Sequence, residues 1–263
     1  MATPDPNLLI PIIAFTLLGA VLSMAAGAIY LLLPEDWRRK TVAHLISLAT
    51  GTLLSVAFME LLPEAVAHAH IGERHLVFAT VLGGILLFFV LEKALIWRHA
   101  HGVDSHGHVH HHHGLRHAGP LVMVGDTVHN FLDGVLLTAA FVADPKLGVV
   151  TGIAIIAHEI PQEVGNFAIM LESGFSRWRT FTLNAVSSLA MVLGALLAWW
   201  QMPLLHANLP FTLAFTAASF LYISIADLIP SLHRGVTLKE TLAQVFWIGV
   251  GVLLVVTLQH THH

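Results

Sequence analysis

Two polar clusters interrupt apolar stretches of this chain: Asp126-Thr-Val-His129-Asn130-Phe-Leu-Asp133-Gly134 and His158-Glu159-Ile-Pro161-Gln162-Glu163-Val-Gly165-Asn166. On a helix, residues four apart share a face, so His129 stands over Asp133, His158 over Gln162, and Glu159 over Glu163. Imidazole, carboxylate and amide groups would then aim inward from two neighbouring helices. A carboxylate at the centre of a membrane helix is disfavoured by about 2.5 to 3.5 kcal/mol, so Asp126, Asp133, Glu159 and Glu163 together oppose insertion by roughly 10 to 14 kcal/mol. Neither cluster contains Lys or Arg. The missing positive charge is most simply supplied by bound cations, protons or both, and the imidazoles narrow the choice toward a transition metal. The pattern implies an intramembrane path for divalent metal ions.

The elements that hold these clusters must cross a bilayer. Of the 263 residues 56% are apolar and only 11% charged, and mean hydropathy is +0.77. A soluble domain carries about 25% charged residues. The chain has 20 His and no Cys, so disulfides are excluded and any metal must be held by imidazole, carboxylate, amide or thioether. A formal charge of -4 excludes a basic nucleic-acid binder. The N-terminal Met1-Ala-Thr-Pro-Asp-Pro-Asn7 lacks the positive start of a secretory signal, so the first apolar run is expected to be a retained span.

Apolar runs of the length a bilayer demands fall near residues 8–33, 42–63, 75–97, 119–143, 147–171, 180–202, 210–231 and 241–259. The expected fold class is an all-α polytopic membrane protein of eight transmembrane helices, one domain over residues 1–263. Arg38, Arg39, Lys40, Lys93, Arg98, Arg116, Arg177, Arg179, Arg234 and Lys239 fall on one side of that topology, and only Arg74 and Lys146 on the other. The positive-inside rule makes the rich side cytoplasmic and both termini extracytoplasmic, in the plasma (inner) membrane. Both polar clusters then lie near mid-span. Phe58-Met-Glu60-Leu-Leu-Pro63-Glu64 is echoed by Ile225-Ala-Asp227-Leu-Ile-Pro230-Ser231 on spans of opposite direction, as an inverted repeat would leave, giving a 3+2+3 arrangement with spans four and five at the centre. A His-rich stretch, residues 99–117, is expected to be a disordered cytoplasmic loop able to bind metal loosely.

The bland alternative for His129, Asp133, His158 and Glu159 is a buried hydrogen-bond network, against which stands the number of ionisable groups at one depth. Glu60 is placed to guide an ion inward or simply to sit at the interface, and Asp227, His233 and His44 to form an exit relay. Gly51, Gly83, Gly84, Gly152 and Gly194 read as helix-packing positions. A rival class is an intramembrane metalloprotease built on His158-Glu159-Ile-Pro-Gln162. That chemistry needs a second His where Gln162 stands, on a helix that Pro161 would not interrupt. A third class is a metal sensor without flux, and within transport an exporter is the alternative to uptake.

The clusters resemble the paired signatures of the ZIP (Zrt/Irt-like) metal transporter family, closest to its branch with His-Asn-Phe-x-Asp-Gly in span four and His-Glu-x-Pro-His-Glu-x-Gly-Asp in span five. The resemblance covers the whole chain, including the His-rich stretch and Leu61-Leu-Pro63-Glu64-Ala65 closing span two. It implies uptake of Zn2+, with Cd2+, Fe2+ or Mn2+ as alternatives, through a site between spans four and five. His129, Asp133, His158 and Gln162 match the primary site, and Asn130, Glu159 and Glu163 match or adjoin a second one. Gln162 stands where that branch has His, and Asn166 where it has Asp. A neutral amide is a poor bridging ligand, which weighs against a binuclear centre. Pro161 removes a helix hydrogen bond and frees the Ala157 carbonyl, a kink expected to serve as a hinge. Monomer and homodimer are both left open.

Overall fold

The computed structural model describes the backbone of residues 6–30, 32, 34–100, 115–233 and 237–260. Most of the His-rich stretch, residues 101–114, lies outside the described residues. Each of the eight apolar runs forms a long helix. These are α1 (Pro6–Tyr30), α2 (35–68), α3 (Arg74–Ala100), α4 (Leu115–Ala143), α5 (Pro145–Glu172), α6 (Arg177–Trp200), α7 (209–232) and α8 (Leu238–His260). Local chemistry sets the ends. The carboxylate of Asp144 caps α5 by accepting the N–H groups of Lys146 (2.7 Å) and Leu147 (3.1 Å), and Pro145 takes the first turn, where no N–H is required. At the other end Gly174 adopts φ +88°, which an L side chain resists, and Phe175 N–H closes onto the Met170 carbonyl at 3.1 Å.

Six of these helices, all but α4 and α5, are long and apolar enough to cross a membrane among the described residues. The other two, at 29 and 28 residues, are of comparable length and carry the polar clusters at mid-length. The chain is therefore an all-helical, multi-pass membrane protein. Its centre is α4 packed on both α5 and α6, with α1 against α5 and α6. Next come α2 and α7, which touch each other, α2 also packing on α5 and α7 on α4; α8 lies outside α2 and α3 outside α7. Burial separates the inner pair from the outer one: 56% of the span in α2 and 61% in α7 is buried, against 11% in α3 and in α8.

Two crossings are closed by paired glycines. A Cβ on Gly134 would lie 1.9 Å from the Met191 carbonyl oxygen, and one on Gly194 would lie 2.0 Å from that of Phe131, so α4 and α6 meet backbone to backbone. Gly51 and Gly251 do the same for α2 and α8, at 2.2 Å from the Ile248 oxygen and 2.4 Å from the Leu48 oxygen. The packing role expected for Gly83 is not found: nothing lies within 4 Å of the Cβ it would carry.

The sequence echo has a backbone counterpart. In α2 residues Val56–Leu61 form a π turn just before Pro63, and in α7 Ile223–Leu228 form one just before Pro230. In each the last N–H reaches back five residues, Leu62 to Ala57 and Ile229 to Ser224. The following proline has no N–H, and its ring crowds the carbonyl four residues back, so the ladder widens where the strain falls.

Candidate metal centre

The hairpin of α4 and α5, turning at Asp144, brings both clusters together. One ligand atom each from His129, Asp133, His158 and Glu159 lies within 4.8 Å of every other. His129 Nε2 is 3.1 Å from His158 Nε2, 3.4 Å from Glu159 Oε1 and 3.6 Å from Asp133 Oδ2. His158 Nε2 is 3.1 Å from Asp133 Oδ2 and 3.8 Å from Glu159 Oε1. A tetrahedral zinc ion with bonds of about 2.0 to 2.1 Å sets its donors about 3.3 Å apart, and the five separations straddle that value. Asp133, His158 and Glu159 are at most 1% exposed, whereas the His129 side chain keeps 17% of its surface.

The protonation pattern sharpens the geometry. His158 Nδ1 lies 3.0 Å from the Ala154 carbonyl oxygen, which can only accept, so the neutral ring carries its proton on Nδ1. Its Nε2 lone pair then faces Asp133 Oδ2 acceptor to acceptor. Neither oxygen of Asp133 nor Oε1 of Glu159 receives a hydrogen bond among the described residues. A cation at the centre resolves that convergence of lone pairs. Phe220 of α7 packs edge-on against the His158 ring (5.9 Å, 62°) and holds its plane.

The remaining predicted residues lie beside this cluster. Asn130, Gln162 and Glu163 belong to a second polar layer around Asp126. Asp126 Oδ1 accepts from Asn166 Nδ2 (2.6 Å) and Gln162 Nε2 (3.3 Å). Its Oδ2 accepts from Asn130 Nδ2 (3.2 Å) and from the Ser187 hydroxyl of α6. Glu163 receives one long bond from Ser188 Oγ, at 3.4 Å. Glu159 thus joins the four-residue cluster, and the Gln162 amide nitrogen turns to Asp126. The contribution of α6 was not read from the sequence; its signal is the helical spacing of Thr180, Asn184, Ser187 and Ser188, all buried.

Glu60 and Asp227 sit within the two π turns. The ring of His44 lies against Trp247 of α8, centroids 5.8 Å apart.

The sequence model of a family described as "ZIP Zinc transporter" matches residues 8–120 and 98–259. The chain is 31% identical over 251 residues to "Zinc transporter ZIP13" of Pongo abelii, covering 91% of this chain and 70% of that protein. The ZIP13 of Mus musculus is 31% identical over 275 residues, covering 92% and 73%. "Zinc transporter ZIP10" of Homo sapiens is 33% identical over 177 residues, 65% of this chain and 20% of that protein.

Proposed function

The chain belongs to the ZIP zinc transporter family, and from that premise we propose that it carries zinc into the cytoplasm through the cluster of His129, Asp133, His158 and Glu159. It is a transporter of divalent metal, not an enzyme, so the metalloprotease reading falls. The observation that carries the proposal is the convergence of four potential ligand atoms at zinc-like spacing in the core of α4 and α5. Two carboxylates and two neutral imidazoles around a divalent ion sum to zero charge, the condition for holding it where water is scarce.

In this reading eight helices span the plasma membrane with both termini outside. They form two inverted three-helix groups around α4 and α5. Support comes from the one-sided basic residues, the matched π turns of α2 and α7, and the reciprocal packing of α8 on α2 and α3 on α7. The ion enters from the outer side, past Glu60, and reaches the partly exposed His129 first. It exchanges its water for imidazole and carboxylate, and binding releases protons because the ligands bind in their deprotonated forms. Pro161, one turn from His158 in α5, leaves the Ala157 carbonyl without its helical donor and makes this the softest point of the helix. Movement there relative to α2 and α7 opens the site inward, toward Asp227.

The test is zinc uptake into proteoliposomes of known protein orientation, with cadmium, iron and manganese as competitors, for the parent and for His129→Ala. Inward flux in the parent and its loss in a folded His129→Ala are expected. Unchanged kinetics in the variant would overturn the site, and flux only from the cytoplasmic face would overturn the direction.

A further inference from the structure

Two carboxylates lie beyond the four-residue cluster, and they are treated unequally. Asp126 is saturated, with four donors on its two oxygens. Glu163, 0% exposed, has the single 3.4 Å contact from Ser188 Oγ, and its Oε2 has no hydrogen-bond partner among the described residues. A buried carboxylate left so bare is strongly disfavoured unless a cation or a proton meets it.

The helix opposite Glu163 offers a matching set of oxygens. Thr180, Asn184 and Ser188 recur every fourth residue along one stripe of α6, at 0%, 0% and 2% exposure. The Ser188 hydroxyl reaches both Glu163 and, at 3.0 Å, the Asn184 backbone carbonyl. Both side-chain amide atoms of Asn184 and the hydroxyl of Thr180 are buried without a partner among the described residues. Hydroxyl, amide and carboxylate oxygens, with no imidazole or sulfur, are a hard-cation donor set. One carboxylate balances one positive charge.

We propose that Glu163, Asn184 and Ser188 form a second, oxygen-only site between α5 and α6 that binds a monovalent alkali cation, sodium. It is separate from the four-residue cluster in its donors and charge. It also does not require that the chain carry zinc. A sodium ion there ties α5, which bears His158 and Glu159, to α6.

The experiment follows thermal unfolding of the purified full chain, freed of divalent metal by a chelator, as NaCl replaces choline chloride at constant ionic strength. The parent's unfolding temperature is expected to rise with the logarithm of sodium above its Kd, by about 3 to 6 °C at about ten times Kd. Glu163→Gln should lose that rise, and His129→Ala should keep it, which separates this site from the zinc reading. Equal midpoints in sodium and choline for the parent overturn the proposal, as does a full rise in Glu163→Gln. Should Glu163→Gln fail to fold, Ser188→Ala decides, since it removes one hydroxyl: the sodium concentration that gives a fixed rise in unfolding temperature must increase severalfold, and an unchanged one overturns the site.

Discussion

Replacing Asp133 with Asn separates a metal site from a structural hydrogen-bond network, because the two readings predict opposite signs in the metal-free protein. Asp133 is fully buried, and its Oδ2 faces the lone pair of His158 Nε2 at 3.1 Å. An asparagine amide at that point can donate to Nε2, turning two facing acceptors into a donor and an acceptor. Metal-free Asp133→Asn is therefore expected to unfold at the same temperature as the parent or higher. Zinc binding should collapse, since the bound cluster would carry a net positive charge in a buried setting. Removing one partner of a buried charge pair costs about 3 to 5 kcal/mol, and at about 1.4 kcal/mol per tenfold in Kd this is roughly a hundred- to a few-thousand-fold loss of affinity. The assay is zinc titration of purified protein against a chromophoric chelator, beside thermal unfolding of the metal-free protein. Asp144→Asn is the control: it removes a carboxylate about 16 Å away along α4 while keeping the cap, which asparagine fills as well as aspartate. A zinc affinity within threefold of the parent, or a clear drop in metal-free stability, would refute the reasoning and leave the cluster as structural glue.

Two further outcomes follow. Gln162→His adds an imidazole beside the cluster and is expected to tighten zinc binding in the same titration; weaker binding would show that position 162 cannot reach the ion. Gly134→Ala places a methyl 1.9 Å from the Met191 carbonyl and forces α4 from α6, an overpacking that costs about 1 to 3 kcal/mol, whereas Gly83→Ala meets nothing and should leave the unfolding temperature unchanged.

The helices were legible in the sequence because bilayer length and apolar composition constrain them tightly: each run sits inside or within a few residues of its helix, and α2 gained most, at both ends. The π turns were legible only as an echo around Pro63 and Pro230, since a widened turn leaves no periodicity of its own. The glycines failed where composition replaced contact, for Gly83 faces outward and Gly134, next to Asp133, was passed over as part of a motif.

The assignment of Gln162 shows what facial periodicity alone leaves out. Spacing by four puts Gln162 on the face of His158 and predicts a shared ion, yet its amide nitrogen turns to Asp126, and Glu159 takes the place beside His158. The governing quantity is the register of the hairpin. With the turn at Asp144, a residue some number of steps along α5 lies opposite one the same number back along α4. His158, about fourteen steps on, falls opposite Asn130, between His129 and Asp133; Gln162, about eighteen steps on, falls opposite Asp126. Two layers follow, one turn apart: imidazoles and bare carboxylates below, amides and hydroxyls above. The lower layer leaves both oxygens of Asp133 and Oε1 of Glu159 without a hydrogen-bond donor among the described residues and so favours a cation, while the upper layer around Asp126 supplies its own donors. The same register explains why Glu163 turns to Ser188 of α6, since Asn130, the amide that α4 offers at that depth, is already spent on Asp126.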